Sequence, residues 1–185
     1  MGDASQVLLV AATDIELCDH PGLVCGVGPV EAAVATAREL ALRAPSAVVH
    51  IGVAGAHGIT PGGLVIGSES IYSDISAEVP VVDRVEPDER LLTLVREALP
   101  EALVLPIGTS ASVSGTSTHV ERALRVEAME GFAVLRACAQ AGVPAVEIRA
   151  ISNELAEGDR SRWRIGRALE ALGDVLPRVL QAAAQ

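Results

Sequence analysis

The sequence contains very few aromatic residues: one Phe, one Tyr and one Trp, or 2% of 185 residues. Proteins that bind single-stranded nucleic acids stack the bases on aromatic side chains, so an extended surface of that kind is excluded. Half of the residues are nevertheless apolar, and Ala, Val and Leu must form most of the core. A chain of this length buries a full aliphatic core, and we expect residues 1–185 to form a single domain.

Basic residues are also scarce, with 14 Lys and Arg against 24 Asp and Glu and a net charge of −10. Nucleic acids and anionic membranes attract proteins through basic patches, so neither is expected as a partner. No apolar run approaches the length that crosses a bilayer. The apolar residues 7–12 lack a basic flank and are too few for a secretory signal, so they are interpreted as the first strand. A small molecule is the expected partner.

Cysteine is limited to Cys18, Cys25 and Cys138, an odd number without C-x-x-C spacing. This pattern disfavours both a disulfide scaffold and a structural zinc site. The four histidines likewise show no metal-ligand spacing. We therefore expect a reduced, cytoplasmic protein that needs no metal and no cofactor.

Apolar segments of strand length alternate with segments of helical periodicity along the chain. This order predicts an α/β fold in which a mostly parallel sheet is covered by helices on both faces. The predicted strands are 6–13, 23–27, 47–54, 64–73 with an extension towards 79–82, 104–114 and 145–151. The predicted helices are 29–43, 86–99, 130–141 and 165–180, the last of which Pro177 is expected to kink or split.

Three polar side chains stand where apolar strands end or a helix begins: Glu16, Glu130 and Asn153. Ligands bind at the carboxyl ends of strands in α/β sheets, so we expect the three to face one pocket. Cleavage of a glycosidic bond passes through an oxocarbenium-like sugar, which needs one carboxylate to activate water and another to hold the hydroxyls. An amide suits a 6-oxopurine, because its carbonyl accepts from N7–H while its NH₂ donates to O6.

Each of these residues also has a plainer interpretation. Taken singly, Glu16 and Glu130 are as well explained as a helix cap and a first-turn charge. Asn153 suits an Asx-turn after a strand. A surface role for Glu127 is as plausible as a role in the site. Only the joint placement of the two glutamates and the asparagine favours chemistry.

Several other charged or polar residues leave two interpretations open. Arg149 lies inside an apolar strand, where it is costly unless paired, so a buried ion pair and a site-organising role are both reasonable. His50 and His57 are interpreted as structural residues. The arginines at 160–164 fit a solvated helix start.

Four segments together resemble the purine nucleoside phosphorylase and nucleosidase superfamily: GVGPVEAA at 26–33, HIGVAG at 50–55, VEAMEG at 126–131 and IRAISN at 148–153. They span nearly the whole chain in the order typical of that superfamily. The resemblance implies a three-layer α/β sandwich around a central mixed, partly barrel-like sheet. It also implies a homo-oligomer, although whether a neighbouring subunit completes the pocket stays open.

Within the superfamily the sequence resembles the futalosine hydrolases, which release hypoxanthine from futalosine in menaquinone biosynthesis. The features that carry this are the short connection from Glu16 to Gly26, the Met-Glu-Gly form of the third motif, the terminal Asn153 and the Arg-x-Arg-Trp segment at 160–163. The resemblance implies that Glu16 is the base for the attacking water, that Glu130 binds the ribose hydroxyls and that Asn153 contacts the base. The other implied substrate-binding residues are Gly52, Val53, Ala54, Gly55, Met129 and Arg149.

Two further expectations concern the nucleophile and the far end of the substrate. Related phosphorylases place Ser or Thr where this chain has Val53, so water is the expected nucleophile, although backbone amides alone can bind an anion. The benzoate carboxylate of futalosine is expected to meet an arginine of 160–164 or a serine of 110–117, with Trp163 as an apolar wall.

Two alternatives remain. One is a nucleosidase for methylthioadenosine or S-adenosylhomocysteine, where an aspartate at the Asn153 position protonates adenine. The other is a non-catalytic nucleoside-binding or assembly subunit, since a fold does not guarantee an activity.

Overall fold

The computed structural model describes residues 6–75, 77–112 and 124–185. Its strands are β1 (Val7–Ala11), β2 (Leu23–Val24), β3 (Ala47–Ala56), β4 (Leu64–Tyr72), β5 (Arg84–Val85), β6 (Leu103–Thr109), β7 (Val126–Ala128) and β8 (Ala145–Glu154). Its helices are α1 (Pro29–Leu42), α2 (Glu89–Ala98), α3 (Gly131–Ala141) and α4 (Ile165–Ala183), with 3₁₀ turns at Asp14–Leu17 and Arg160–Arg162.

Five strands close into a barrel. Strand β3 pairs with β7 and β8, β7 pairs with β6, β6 with β4, and β4 with β8. Strands β1 and β2 extend the sheet from β3, and β5 lies beside β4. The β3–β7, β4–β8 and β4–β5 pairs are antiparallel and the others are parallel. The predicted α/β fold with a mixed, partly barrel-like sheet is confirmed.

Helices cover the sheet on both faces, and the alternation of side chains along β1 shows how. Leu9 and Ala11 pack in a cluster that includes residues of α2 and α4. Leu8 and Val10 point to the opposite face and pack with residues of α1 and α3. Because both faces of β1 are buried, the strand has a continuous apolar sequence.

Local signals locate the helix ends well. Asp88 precedes α2, and its Oδ1 accepts a hydrogen bond of 2.8 Å from the backbone N of Leu91, which is the expected capping contact. Gly142 closes α3 with a φ of 68°. Helix α4 runs through Pro177 without being split.

The predicted extension of β4 towards 79–82 is wrong. Strand β4 ends at Tyr72, and Val79 and Val82 are exposed in an irregular segment. Pro80 lacks the N–H that a strand ladder requires, so the alternating valines do not pair there. The strand predicted at 104–114 ends at Thr109, and residues 113 and 114 lie outside the described part of the chain. No helix in the described ranges is long and apolar enough to cross a membrane.

Candidate active site

Glu16 lies in the 3₁₀ turn after β1, and its carboxylate is buried and fixed by three donors. Oε2 accepts from the backbone N of Thr13 at 3.0 Å and from its Oγ1 at 2.7 Å. Oε1 accepts from the backbone N of Val53, on β3, at 3.0 Å. These bonds hold the carboxylate between the ends of two adjacent strands. Oε1 keeps one lone pair for a further donor.

Glu130 precedes the first residue of α3 and is 4% exposed. Its Oε1 accepts from the backbone N of Gly28 at 3.0 Å, and its Oε2 lies 3.6 Å from Nη2 of Arg149. Burial raises the pKa of the Glu130 carboxyl, against the lowering effects of Arg149 and of the Gly28 N–H. The negative charges of Glu16 and Glu147 raise this pKa further. The pKa of Glu130 is therefore set by opposing effects: burial and two nearby carboxylates raise it, and a nearby guanidinium and a backbone N–H lower it.

Asn153 is the ninth residue of β8 and is also buried. Its Oδ1 lies 2.7 Å from Oγ of Ser152, and its Nδ2 donates to the carbonyl of Glu154 at 3.0 Å. The backbone N of Leu155, which an Asx-turn would direct to Oδ1, donates to Ala56 O instead. The amide keeps one N–H and one lone pair, which is what a donor–acceptor contact with a base requires.

These three side chains line one pocket of about 270 Å³ at the end of the barrel. Of the predicted site residues, Glu16, Val53, Ala54, Gly55, Met129, Glu130 and Asn153 lie on its wall. The sequence interpretation missed Thr13, Ile15, Val27, Leu155 and Ile165, which also line it. Thr13 carries the one signal that was available, a polar residue directly after an apolar strand. The apolar residues come from separate elements that only the tertiary fold brings together.

Gly52 and Arg149 do not line the pocket but lie directly behind its wall. Arg149 is fully buried, and its Nε donates to Oε1 of Glu147 at 2.8 Å. A Cβ on Gly52 would overlap Nη1 of Arg149 and would lie 2.9 Å from Oε1 of Glu16. Gly52 thus leaves the space through which the guanidinium reaches the Glu16 side of the pocket.

Replacing Gly52 by Ala is expected to displace the Arg149 guanidinium. Overpacking of this kind typically costs about 1–3 kcal/mol of stability, and we expect lower activity together with a lower melting temperature. Gly166→Ala is the matched control, since a Cβ there meets nothing within 4 Å. Thermal unfolding and catalytic activity are measured on both variants. A Gly52→Ala protein as stable and as active as the control would contradict the packing argument.

The residues predicted to meet the far end of the substrate differ in their surroundings. Trp163 lines the pocket, and the guanidinium carbon of Arg160 is 5.7 Å from its ring centroid. Arg162 is exposed and pairs with Glu157 at 3.0 Å. Among the predicted serines, Ser112 lines the pocket, whereas Ser114 and Ser117 lie outside the described residues.

Glu127 and His57 occupy different environments. Glu127 lines the pocket, and burial, with the nearby charge of Asp74, raises its pKa while His57 lowers it. His57 is exposed, and its Nδ1 lies 2.6 Å from Oε1 of Glu154. His57 is therefore a surface residue beside Glu154, the last residue of β8.

No group of three or more His, Cys, Asp or Glu residues that could hold a metal ion occurs in 6–75, 77–112 and 124–185. The three cysteines are free. Burial raises the pKa of Cys25 and of Cys138 to about 12, so both thiols stay protonated and are poor metal ligands at neutral pH.

Residues 21–185 match the family model described as "Phosphorylase superfamily", and the chain belongs to that family. A futalosine hydrolase of Streptomyces coelicolor is 36% identical over 182 residues, covering 85% of this chain and 77% of the relative. A 5'-methylthioadenosine/S-adenosylhomocysteine nucleosidase of Chromohalobacter salexigens is 29% identical over 153 residues, covering 71% and 65%.

A solved structure shows the same fold. The 5'-methylthioadenosine/S-adenosylhomocysteine nucleosidase of Colwellia psychrerythraea, crystallised with adenine, superposes with a TM-score of 0.85 over 98% of this chain and 96% of that chain. At 19% identity this likeness carries the fold alone. This chain therefore shares the fold of that nucleosidase.

Proposed function

We propose that this protein hydrolyses the N-glycosidic bond of futalosine and releases hypoxanthine and dehypoxanthine futalosine, a step of menaquinone biosynthesis. The observation that carries the proposal is the shared pocket of Glu16, Glu130 and Asn153. A general base, a sugar-binding carboxylate and a base-binding amide are what the reaction requires. The 36% identity to a futalosine hydrolase supports this choice of substrate.

Glu16 is the proposed base. The lone pair left on its Oε1 accepts a proton from the attacking water, while the bonds to Thr13 and Val53 hold the carboxylate still. A fixed base avoids reorganisation during proton transfer, which is one source of rate acceleration.

Glu130 and Met129 are proposed to bind the ribose. Both line the pocket, and the Glu130 carboxylate accepts from the sugar hydroxyls while its negative charge stabilises the oxocarbenium-like sugar. Asn153 is proposed to bind the base. The water oxygen bonds to C1' of the ribose as the C1'–N9 bond breaks, the electron pair of that bond goes to the purine, and N7 of the leaving base takes a proton from water. The free lone pair of the amide accepts from this N7–H while its free N–H donates to O6 of hypoxanthine. The amide thereby stabilises the departing base without a charged group.

The contact between Glu16 and Val53 supports water rather than phosphate as the nucleophile. The backbone N of Val53, on β3 where an anion site would form, already donates to the Glu16 carboxylate. An incoming phosphate would meet this negative charge and would have no hydroxyl donor from Val53. Release of the base is therefore expected at the same rate with and without inorganic phosphate.

Purine release from futalosine, inosine and methylthioadenosine tests the proposal. We expect hypoxanthine from futalosine to appear with the highest kcat/KM. Release from methylthioadenosine but not from futalosine would establish the alternative that the relative from C. salexigens favours. The absence of release from all three substrates would indicate a binding subunit.

The pH dependence of kcat/KM should report the ionisation of Glu130. Its raised pKa means that, as pH falls, the carboxyl is protonated earlier than an ordinary Glu at 4.5. A protonated Glu130 loses the charge that stabilises the sugar cation, so the acidic limb of the profile is expected above pH 4.5. An acidic limb at or below that value, measured on stable protein, would contradict this assignment.

A cytoplasmic homo-oligomer is the proposed form of the enzyme. Free thiols suit a reducing compartment. Ile15, Val27, Val30 and Val34 are exposed apolar side chains on the 3₁₀ turn, the following turn and the start of α1, and the first two line the pocket. Exposed apolar patches of this kind mark contact surfaces. Sedimentation or light scattering of the purified protein measures the oligomeric state.

A further inference from the structure

A row of buried polar side chains crosses the sheet behind the pocket. His50 on β3 lies in register with Val10 on β1 and with Glu147 on β8, and Gly52 lies in register with Arg149. Residues two apart in a strand share a face, so His50, Gly52, Glu147 and Arg149 all project to the same side. On β4, the hydroxyl of Ser70 donates to the Glu147 carboxylate in a very short contact. The proposed active-site roles leave His50, Glu147 and Ser70 without a function.

The five N–H groups of Arg149 are used unequally. Its Nε donates to Glu147 at 2.8 Å, and its Nη2 lies 2.5 Å from Nε2 of His50 and 3.6 Å from Oε2 of Glu130. Its Nη1 is buried and has no hydrogen-bond partner among the described residues. An unpaired N–H on a buried cation is costly, so such a group is retained where a ligand completes it.

The position of Gly52 shows which way Nη1 points. A Cβ built on Gly52 would overlap Nη1 of Arg149 and would lie 2.9 Å from Oε1 of Glu16. Nη1 of Arg149, behind the pocket wall, and Oε1 of Glu16, on that wall, therefore lie near each other beside Gly52. A water or a sugar hydroxyl between them would accept from one and donate to the other.

His50 is arranged to be a neutral acceptor. Its Nδ1 lies 3.1 Å from the carbonyl oxygen of Val10, so this nitrogen carries the hydrogen, and the lone pair of Nε2 faces Nη2 of Arg149. Burial and the adjacent Arg149 lower the pKa of His50 well below its ordinary value. A neutral imidazole accepts from Arg149 without adding a second negative charge beside Glu147.

Gly131 makes room for the second contact. A Cβ on Gly131 would overlap both carboxylate oxygens of Glu147. Because the first residue of α3 has no side chain, the Glu147 carboxylate can lie against the start of the helix. In this position it accepts a hydrogen bond from Nε of Arg149. Two glycines thus leave room for the buried polar side chains: Gly52 for Nη1 of Arg149 and Gly131 for the carboxylate of Glu147.

We propose that His50 and Glu147 are positioning residues that clamp the Arg149 guanidinium from two sides and aim its Nη1 at the water or sugar hydroxyl held by Glu16. This inference rests on the proposed hydrolysis. Neither residue touches the substrate. They act by fixing the angle of a donor, and a small displacement of a donor can cost a large factor in rate.

Two substitutions of His50 separate positioning from folding. In His50→Gln the new side chain is long enough to place its Oε1 near the position that Nε2 of the histidine occupies. This variant keeps an acceptor for Nη2 of Arg149. Asn is shorter and keeps a donor for Val10 O but loses that acceptor. We expect His50→Asn to lower kcat on futalosine by about tenfold or more with a smaller change in KM, and His50→Gln to recover most of that loss. Two folded variants with equal kcat would overturn the role of His50.

Glu147→Gln tests the other side of the clamp through the pH profile. The groups that face Glu130 are Arg149 and Glu147 from β8, Glu16 from the 3₁₀ turn, and Cys25 and Gly28 from the segment after β2. Removing the charge of Glu147 removes its repulsion of the Glu130 carboxylate, while the attraction of Arg149 for that carboxylate stays. Both effects lower the pKa of Glu130. We therefore expect the acidic limb of kcat/KM to move to lower pH, together with a lower kcat. The lower kcat is the part that depends on the position of Arg149, so a shifted limb with an unchanged kcat would count against the clamp.

If Glu147→Gln fails to fold, Ser70→Ala replaces it, because this change removes only the hydroxyl that donates to Glu147. We then expect a lower kcat at unchanged KM, and an unchanged kcat would count against the clamp. Failures of the two proposals differ in the wild-type protein. Wild-type release of hypoxanthine with unchanged variants refutes only the clamp, whereas no release from futalosine, inosine or methylthioadenosine by the wild type refutes the hydrolysis on which it rests.

Discussion

Replacing Glu16 by Gln is expected to lower kcat on futalosine by about 10²- to 10⁴-fold, the usual contribution of a general base, while KM changes little. The substitution removes the basic lone pair but keeps the length and volume of the side chain. Because substrate binding in this proposal depends on other groups, the loss falls on the chemical step.

The hydrogen bonds of Glu16 predict a second, smaller effect of the same substitution. All three donors, from Thr13 and Val53, point at carboxylate oxygens. A Gln amide must turn its NH₂ towards at least one backbone N–H, which leaves a buried donor unpaired at a cost of about 1–3 kcal/mol. We therefore expect a lower melting temperature, and kcat has to be measured well below it.

Asp14→Asn is the matched control for Glu16→Gln. Asp14 belongs to the same 3₁₀ turn, but its side chain is exposed and does not line the pocket. The control makes the same change from carboxylate to amide and should retain nearly full activity. A near-normal kcat for Glu16→Gln, or an equal loss in both variants, would exclude Glu16 as the base.

Much of the fold could be predicted because its signals are local. The continuous apolar run of β1 indicated burial on both faces, and Asp88 and Gly142 indicated the ends of helices. The closure of the barrel could not be predicted from periodicity. An alternating or apolar segment shows that a strand is buried, but it does not show that β4 pairs with β8 in the antiparallel direction.

The site was predictable only in part, for a similar reason. Glu16, Glu130 and Asn153 stand at the ends of elements, where the sequence marks them as exceptions to an apolar run. Glu147 was missed, although it stands two residues before Arg149 in the same strand, and this spacing already places both charges on one face. The spacing does not show how two charged side chains can be buried together. They fit because Gly52 and Gly131 have no side chain, and Arg149 and Glu147 occupy that space.

Replacing Asn153 by Asp is expected to shift the base preference from hypoxanthine towards adenine. The amide offers O6 a donor that an ionised carboxylate lacks, so release of hypoxanthine should fall. Sites that lose a required hydrogen bond discriminate strongly, and we expect the ratio of kcat/KM for methylthioadenosine over futalosine to rise by about tenfold or more.

The surroundings of Asn153 indicate how the new carboxyl would behave. One oxygen keeps the contact with Ser152, but the other replaces Nδ2 opposite the carbonyl of Glu154, so two acceptors face each other. Burial favours the protonated carboxyl, and its one proton donates to N7 of adenine when it is on the oxygen that faces the base. The shift towards methylthioadenosine should therefore grow as pH is lowered.

Gln140→Glu is the control, because it makes the same amide-to-carboxylate change at an exposed position of α3. This variant should keep the wild-type ratio at every pH. If Asn153→Asp also keeps that ratio while both proteins remain folded, Asn153 does not read the base. Its two free hydrogen-bonding positions would then serve the sugar or a water, and the assignment of hypoxanthine would have to depend on another residue of the pocket.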